Sequence, residues 1–227
     1  MFVDIDDTLW WFTENSKLAL RHTFDAFDIS SVCTYERFKE VYLKKNLELW
    51  NLYHHGLIDK DFLVNERFRF TLKECGYKGD VEKMCHLLDE EYLRFLALQS
   101  TTIPGARQLL EYLVTKGYDV NTLSNGFQGT QQQKLISGGL SDLIHRNVLS
   151  DDCGITKPQR GIFDYALEQC GAEAATTVMI GDNPDADIKG AHDAGWRTIY
   201  FNIRGLDPIE GTADAVVTSL DEIQQIL

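Results

Sequence analysis

Four short stretches bring together the side chains best suited to chemistry. They are Asp4-Ile5-Asp6-Asp7-Thr8, Ser124-Asn125-Gly126, Lys157-Pro158, and Gly181-Asp182 with Asp187 shortly after. Each follows an apolar run of strand character, so folding onto one sheet would gather all four at one rim. Asp4, Asp6, Asp182 and Asp187 would then crowd a small volume. Like charges at such distances raise one another's pKa and oppose folding. A bound cation removes that conflict. An all-oxygen donor set with room for water and phosphate suits Mg²⁺. Lys157 adds a second positive charge, able to face a carboxylate and a phosphate together. Ser124 offers a hydroxyl, and the backbone N–H groups of Asn125 and Gly126 fall at a strand-to-helix junction, where anions bind well. Metal, lysine, hydroxyl and amides would surround a phosphoryl group in transit, and that reaction depends mostly on positioning and charge stabilisation. Asp4 can attack phosphorus to form an aspartyl phosphate. Asp6, two residues on, can protonate the leaving oxygen and later take a proton from water.

These residues need elements to hold them. Between residues 13 and 101 apolar positions recur at helical spacing, with candidate stops at Gly56, Gly76 and Gly79. This predicts a bundle of four or five helices. Outside it, strands and helices alternate. Strands are expected at Phe2-Val3, 118–123, 147–149, 177–180, 198–202 and 215–218, with helices at 106–116, 128–137, 161–169 and 185–194 and one at the C-terminus. Such alternation implies an α/β fold, a parallel sheet with helices on both faces. Ligands on such sheets bind beyond the carboxyl ends of the strands, where the four clusters fall. Residues 1–12 and 102–227 are therefore expected to form the core and 13–101 an inserted all-helical domain. The first strand starts almost at Met1, so either it is short or a few residues precede it.

The formal net charge of −13 disfavours a nucleic-acid polymer as partner. It leaves room for a small phosphorylated metabolite, because a metal reverses the local sign of a site. Cysteines stand at 33, 75, 85, 153 and 170, an odd number without CxxC spacing. They read as reduced thiols in a cytoplasmic protein rather than as disulfides or a zinc site. The apolar start is broken at Asp4, so no signal peptide is expected, and no run is long enough for a membrane span.

The four motifs, in this order, resemble those of the haloacid dehalogenase superfamily. That resemblance implies a Rossmann-like core and a mobile helical cap between the first two motifs. Water must be excluded during phosphorylation and admitted afterwards, so the cap is expected to open and close about its connections near residues 11–14 and 99–104. It implies Asp4 as nucleophile and Asp6 as acid–base. Mg²⁺ would be held by the Asp4 and Asp182 carboxylates and the Asp6 backbone carbonyl. Ser124 and Lys157 would bind phosphate, and Asp187 would orient Lys157 or a metal-bound water. Ser124 to Phe127, the glutamines and lysine that follow, and Ser150 to Pro158 further resemble the bacterial pyrimidine 5′-nucleotidase branch. Asn183 departs from the pattern where Ser or Thr is common.

Plainer readings stand beside these. Asp4 to Thr8 could be a capped turn, Ser124-Asn125-Gly126 an ordinary turn, and Asp187 a solvated carboxylate at a helix start. Trp10, Trp11, Trp50, Tyr53, His54, His55 and Phe127 could stack on a base or simply pack. Competing activities are a phosphomutase on the same scaffold, a carbon–halogen hydrolase, and a non-catalytic binding protein. A carbon–halogen hydrolase needs neither Mg²⁺ nor a leaving-group acid, so Asp6 and Asp182 weigh against it.

Overall fold

A computed structural model describes residues 1–227. The chain divides into two compact units, one formed by Met1–Thr13 and Gln99–Leu227, the other by Glu14–Leu98. The first crossing between them lies inside a helix, α1 (Phe12–Ala26), and the second just after α4 (Val81–Ala97).

The first unit is built on six parallel strands: β1 (Phe2–Val3), β2 (Asn121–Ser124), β3 (Arg146–Leu149), β4 (Val178–Gly181), β5 (Arg197–Phe201) and β6 (Ala215–Val217). They run in the order β3-β2-β1-β4-β5-β6. The order reverses direction between β1 and β4, the switch point where such sheets open a crevice at their carboxyl ends. Both residues of β1 and all four of β2, Asn-Thr-Leu-Ser, are buried, as expected of strands covered on both faces. Phe2, Leu123, Val148 and Met179 pack with Ile162, Phe163 and Ala166 of α8 (Arg160–Cys170) and with Trp196. Phe2 and Phe163 lie 4.9 Å and 5.3 Å from the Trp196 ring.

Three details depart from the pattern expected of the sequence. β2 starts at Asn121 rather than Tyr118. The Tyr118 N–H is taken by the Leu113 carbonyl, closing α5 (Ala106–Thr115) over Gly117, whose φ of +83° needs no Cβ. The C-terminal helix is a 3₁₀ segment, Leu220–Gln225, started by a reciprocal cap between Ser219 and Glu222. The helix expected at 185–194 opens instead with a wide π turn, Pro184–Lys189, before α9 (Gly190–Asp193).

The second unit contains most of α1, then a 3₁₀ turn at Ile29–Ser31, α2 (Tyr35–His54), α3 (Lys60–Glu74) and α4. Thr34, Asp59 and Asp80 cap α2, α3 and α4 by accepting the backbone N–H three residues on. Each such cap contributes about 1 kcal/mol. Phe24, Phe38, Tyr42, Phe68 and Tyr92 form a continuous aromatic core, with neighbouring rings 4.7–6.3 Å apart. No helix is long and apolar enough to cross a membrane.

Candidate active site

β1 delivers Asp4 to the switch point, and β4, its hydrogen-bonded neighbour, delivers Asp182. The Asp4 N–H reaches the Ile180 carbonyl at 2.9 Å, which fixes the register between the two. After Asp4 the chain folds back at once. The Leu9 and Trp10 N–H groups both reach the Ile5 carbonyl, and Asp7 takes a left-handed φ of 58°. Asp7 plays the plainer role: its carboxylate accepts the Thr13 N–H at 2.8 Å and the Thr13 hydroxyl at 2.7 Å, capping α1. The structure therefore separates three neighbouring aspartates into three surroundings.

Lys157 is the centre of the first. Its ammonium donates to Asp4 Oδ1 and Asp187 Oδ1, each at 2.6 Å, and to the Leu123 carbonyl at 2.7 Å. Those contacts use all three of its protons. The Lys157 backbone is clamped by the Asn125 side chain, which donates to the Lys157 carbonyl and accepts its N–H, both at 2.8 Å. Asn125 therefore acts on Lys157 through its side chain.

Asp187 is buried, not solvated. The π turn bends it back over Gly181, and its Oδ2 accepts the Asn183 N–H at 3.0 Å. A Cβ on Gly181 would lie 2.4 Å from Asp187 Oδ2, so this approach requires glycine. Asn183 accepts the N–H groups of Asp185 and Ala186, the capping that Ser or Thr would provide, so its departure from the expected pattern is locally harmless.

Asp6 belongs to the second surrounding. Lys134 Nζ sits 2.7 Å from its Oδ1, and Gln131 Nε2 sits 3.0 Å from its Oδ2. Both residues lie on α6 (Gln128–Ser137), one turn apart. Lys134 is buried, with its charge 4.8 Å from the Trp10 ring centroid. Gln131 also donates to Ser124 Oγ at 2.6 Å, and the Gly126 N–H donates to the same oxygen at 3.1 Å. The Gly126 N–H expected to face an anion is thus turned to Ser124. With both lone pairs of Ser124 Oγ occupied, its remaining capacity is its own proton, available to an outside acceptor.

Gln131 and Lys134 were not singled out as site residues by sequence reasoning. The available signal was their i, i+3 spacing on the helix that follows Ser124-Asn125-Gly126.

Trp10 is fully buried, with its indole N–H on the Gln99 carbonyl, so it packs and does not stack on a ligand. Phe127 is also buried, at the start of α6. Trp50, Tyr53 and His54 form a half-buried aromatic group at the end of α2 in the helical unit.

The electrostatics are unbalanced. Carboxylate oxygens of Asp4, Asp182 and Asp187 lie within 4.8 Å of one another, all buried. Burial pushes the Asp4 carboxyl up to about 7; Lys157 opposes this, while Asp187 and Asp6 add to it. Burial raises Asp182 well above the carboxylate range, with Arg204 opposing and Asp187 and Asp4 adding. Burial lowers the Lys157 ammonium, but Asp187 and Asp4 overcome it and the net shift is upward. With Asp7 included, four carboxylates face the two cations Lys157 and Arg204. Fully ionised, the four carboxylates exceed the two cations by two negative charges, which matches a divalent ion. Asp182 Oδ2 is buried without a hydrogen bond, and Asp4 keeps Oδ2 clear of Lys157, so oxygen donors remain for one.

The haloacid dehalogenase-like hydrolase family model matches residues 1–195. Pyrimidine 5′-nucleotidase YjjG of Escherichia coli K12 is 33% identical over 229 residues, covering 100% of this chain and 96% of its own. Pyrimidine 5′-nucleotidase PynA of Streptococcus pneumoniae is 30% identical over 208 residues, covering 91% and 85%. The crystal structure of the HAD-hydrolase YfnB from Bacillus subtilis, bound to magnesium, superposes with a TM-score of 0.88 at 32% identity, covering 100% of this chain and 96% of that one. Motif order, sheet order and these matches agree: the chain belongs to the haloacid dehalogenase-like hydrolase family.

Proposed function

We propose that the protein is a Mg²⁺-dependent phosphoric monoester hydrolase working through an aspartyl phosphate on Asp4. The observation that carries this reading is the split between two aspartates two residues apart, Asp4 and Asp6. Asp4 is tied to Lys157 at 2.6 Å, while Asp6 is held apart by Lys134 and Gln131. Two carboxylates in different surroundings can take different parts in one reaction.

In the first half-reaction an Asp4 oxygen attacks phosphorus. The bond to the ester oxygen breaks, and Asp6 gives that oxygen its proton. In the second, Asp6 takes a proton from water, the water oxygen attacks phosphorus, and the bond to Asp4 breaks, releasing phosphate and restoring both side chains. Lys157 keeps Asp4 oriented, with Asp187 and the Asn125 clamp fixing Lys157 in turn. Ser124, its oxygen already filled by Gln131 and Gly126, is left to donate a hydrogen bond to a phosphoryl oxygen. A divalent ion, held by the Asp4 and Asp182 carboxylates and the Asp6 backbone carbonyl, would supply positive charge against the phosphoryl group.

For the substrate we propose a small phosphorylated metabolite, in particular a pyrimidine nucleoside 5′-monophosphate. Two relatives bearing that name support the choice. The test is a panel of nucleoside monophosphates, sugar phosphates and p-nitrophenyl phosphate, each with Mg²⁺ and with EDTA. Turnover of pyrimidine monophosphates well above the other esters, lost in EDTA, is expected. Turnover that survives EDTA rejects the metal, and equal rates across the panel reject the nucleotide preference.

A further inference from the structure

Arg204 belongs to none of the four motifs. It lies in the irregular segment between β5 and β6, beside Gly205 at φ +66°, and its side chain is 41% exposed. From there it reaches inward: one guanidinium nitrogen lies 2.6 Å from Asp182 Oδ2 and 3.4 Å from Asp7 Oδ2. The approach to Asp182 is close but badly aligned. Asp182 Oδ2 remains a buried oxygen with no hydrogen bond, while Oδ1 has only the Thr8 hydroxyl at 3.3 Å. Arg204 donates a long hydrogen bond to Asp7 Oδ2 at 3.4 Å, but charge attraction without directional bonding ties it to Asp182 Oδ2. Lys157 contrasts with this, because all three of its protons point at acceptors.

We propose that Arg204 is a displaceable counterion, competing with a divalent cation for Asp182 Oδ2, so that metal binding releases the Arg204 side chain to solvent. This rests on the reading of Asp182 as a metal ligand. Two cations cannot share one carboxylate oxygen at contact distance without strong repulsion, least of all where burial reduces screening. The side chain that can yield is the one already partly in water, on a segment without helix or strand. Lys157, 2% exposed and clamped by Asn125, has no such exit.

The test is calorimetric titration of Mg²⁺ into EDTA-stripped, dialysed wild-type and Arg204→Met proteins. Removing the competitor is expected to tighten Mg²⁺ binding at least about tenfold, which is about 1.4 kcal/mol. Tighter binding in Arg204→Met, including the case where only the variant binds, supports the competition. Equal or weaker binding in the variant overturns it and leaves the metal-dependent reading standing. Binding in neither protein overturns both. If Arg204→Met does not fold, limited trypsin cleavage of the wild type decides. Cleavage at the Arg204–Gly205 bond, measured against an unrelated trypsin substrate in the same buffer, is expected to quicken as Mg²⁺ rises. An unchanged or slower rate overturns the proposal.

Discussion

Lys157 in the sheet unit and Arg67 in the helical unit are both buried cations paired with aspartate, in opposite surroundings. Arg67 Nε donates to Asp89 Oδ1 at 2.6 Å, and its charge lies 5.4 Å from the Tyr92 ring centroid and 6.0 Å from that of Phe68. One cation meets one anion inside an aromatic shell. Around Lys157 and Arg204 four carboxylates converge, two more acidic groups than there are cations. A balanced buried pair can serve packing alone. An unbalanced one destabilises the fold unless something else brings the missing charge, so the imbalance marks the place where a ligand acts.

The contrast can be broken by neutralising one aspartate in each unit. Asp4→Asn is expected to lower turnover by about a thousandfold or more, as loss of a nucleophile does. In EDTA it is expected to unfold at the same temperature as the wild type or higher, because it removes one of the excess negative charges. Asp89→Asn should do the reverse. It leaves the Arg67 charge buried without a counter-charge, costing about 3–5 kcal/mol of stability, while turnover per folded molecule is kept. Denaturant unfolding and a phosphatase assay on both variants check this. If both aspartates lower stability alike, the distinction drawn between the two clusters is wrong.

A smaller effect sharpens the site side of the comparison. An added methyl at Gly126 would place Cβ 2.3 Å from Gln131 Cδ, so Gly126→Ala must push that side chain away. Gln131 holds both Ser124 Oγ and Asp6 Oδ2. Losing the fixed direction of the Ser124 hydroxyl is expected to raise KM about tenfold, equivalent to one hydrogen bond to a charged group. A KM within twofold of wild type would show that Ser124 does not depend on Gln131.

Much of this was legible in sequence, for physical reasons. Asp4, Ser124 and Asp182 each end or immediately follow a buried strand, and a polar residue there must find a partner. Helical periodicity announced the inserted unit, and its caps lie at Thr34, Asp59 and Asp80. What was hidden depends on side chains meeting across long separations. Lys134 lies 128 residues from Asp6, and Arg204 lies 197 from Asp7. Lys134 follows the Ser124 motif and Arg204 falls in none, and the partner of each becomes visible only once the sheet order brings their segments together. The π turn at Pro184–Lys189 was hidden for another reason: its period departs from 3.6 by less than a short stretch of sequence can reveal.

The weakest expected effect lies on the surface of the helical unit, where the Glu91 carboxyl shifts the opposite way from Asp4 and Asp182. Glu91 accepts from Arg94 at 2.6 Å and 2.8 Å and meets His22 Nε2 at 2.6 Å, and the His22 ring stacks on Phe95 at 3.9 Å. The Arg94 hydrogen bonds, and then that from His22, hold the Glu91 carboxyl down at about 2, from an ordinary 4.5. A folded value below the unfolded one means that the carboxylate's contribution is complete above pH 4.5 and is lost as pH falls toward 2. Solvent around the pair limits that contribution to roughly 0.2–1 kcal/mol. Glu91→Gln is therefore expected to be slightly less stable than wild type at neutral pH. Urea midpoints followed from pH 7 to pH 2.5 should show that deficit shrinking on the acid side. A deficit that stays constant across this range would mean that Glu91 contributes through packing and not through its charge.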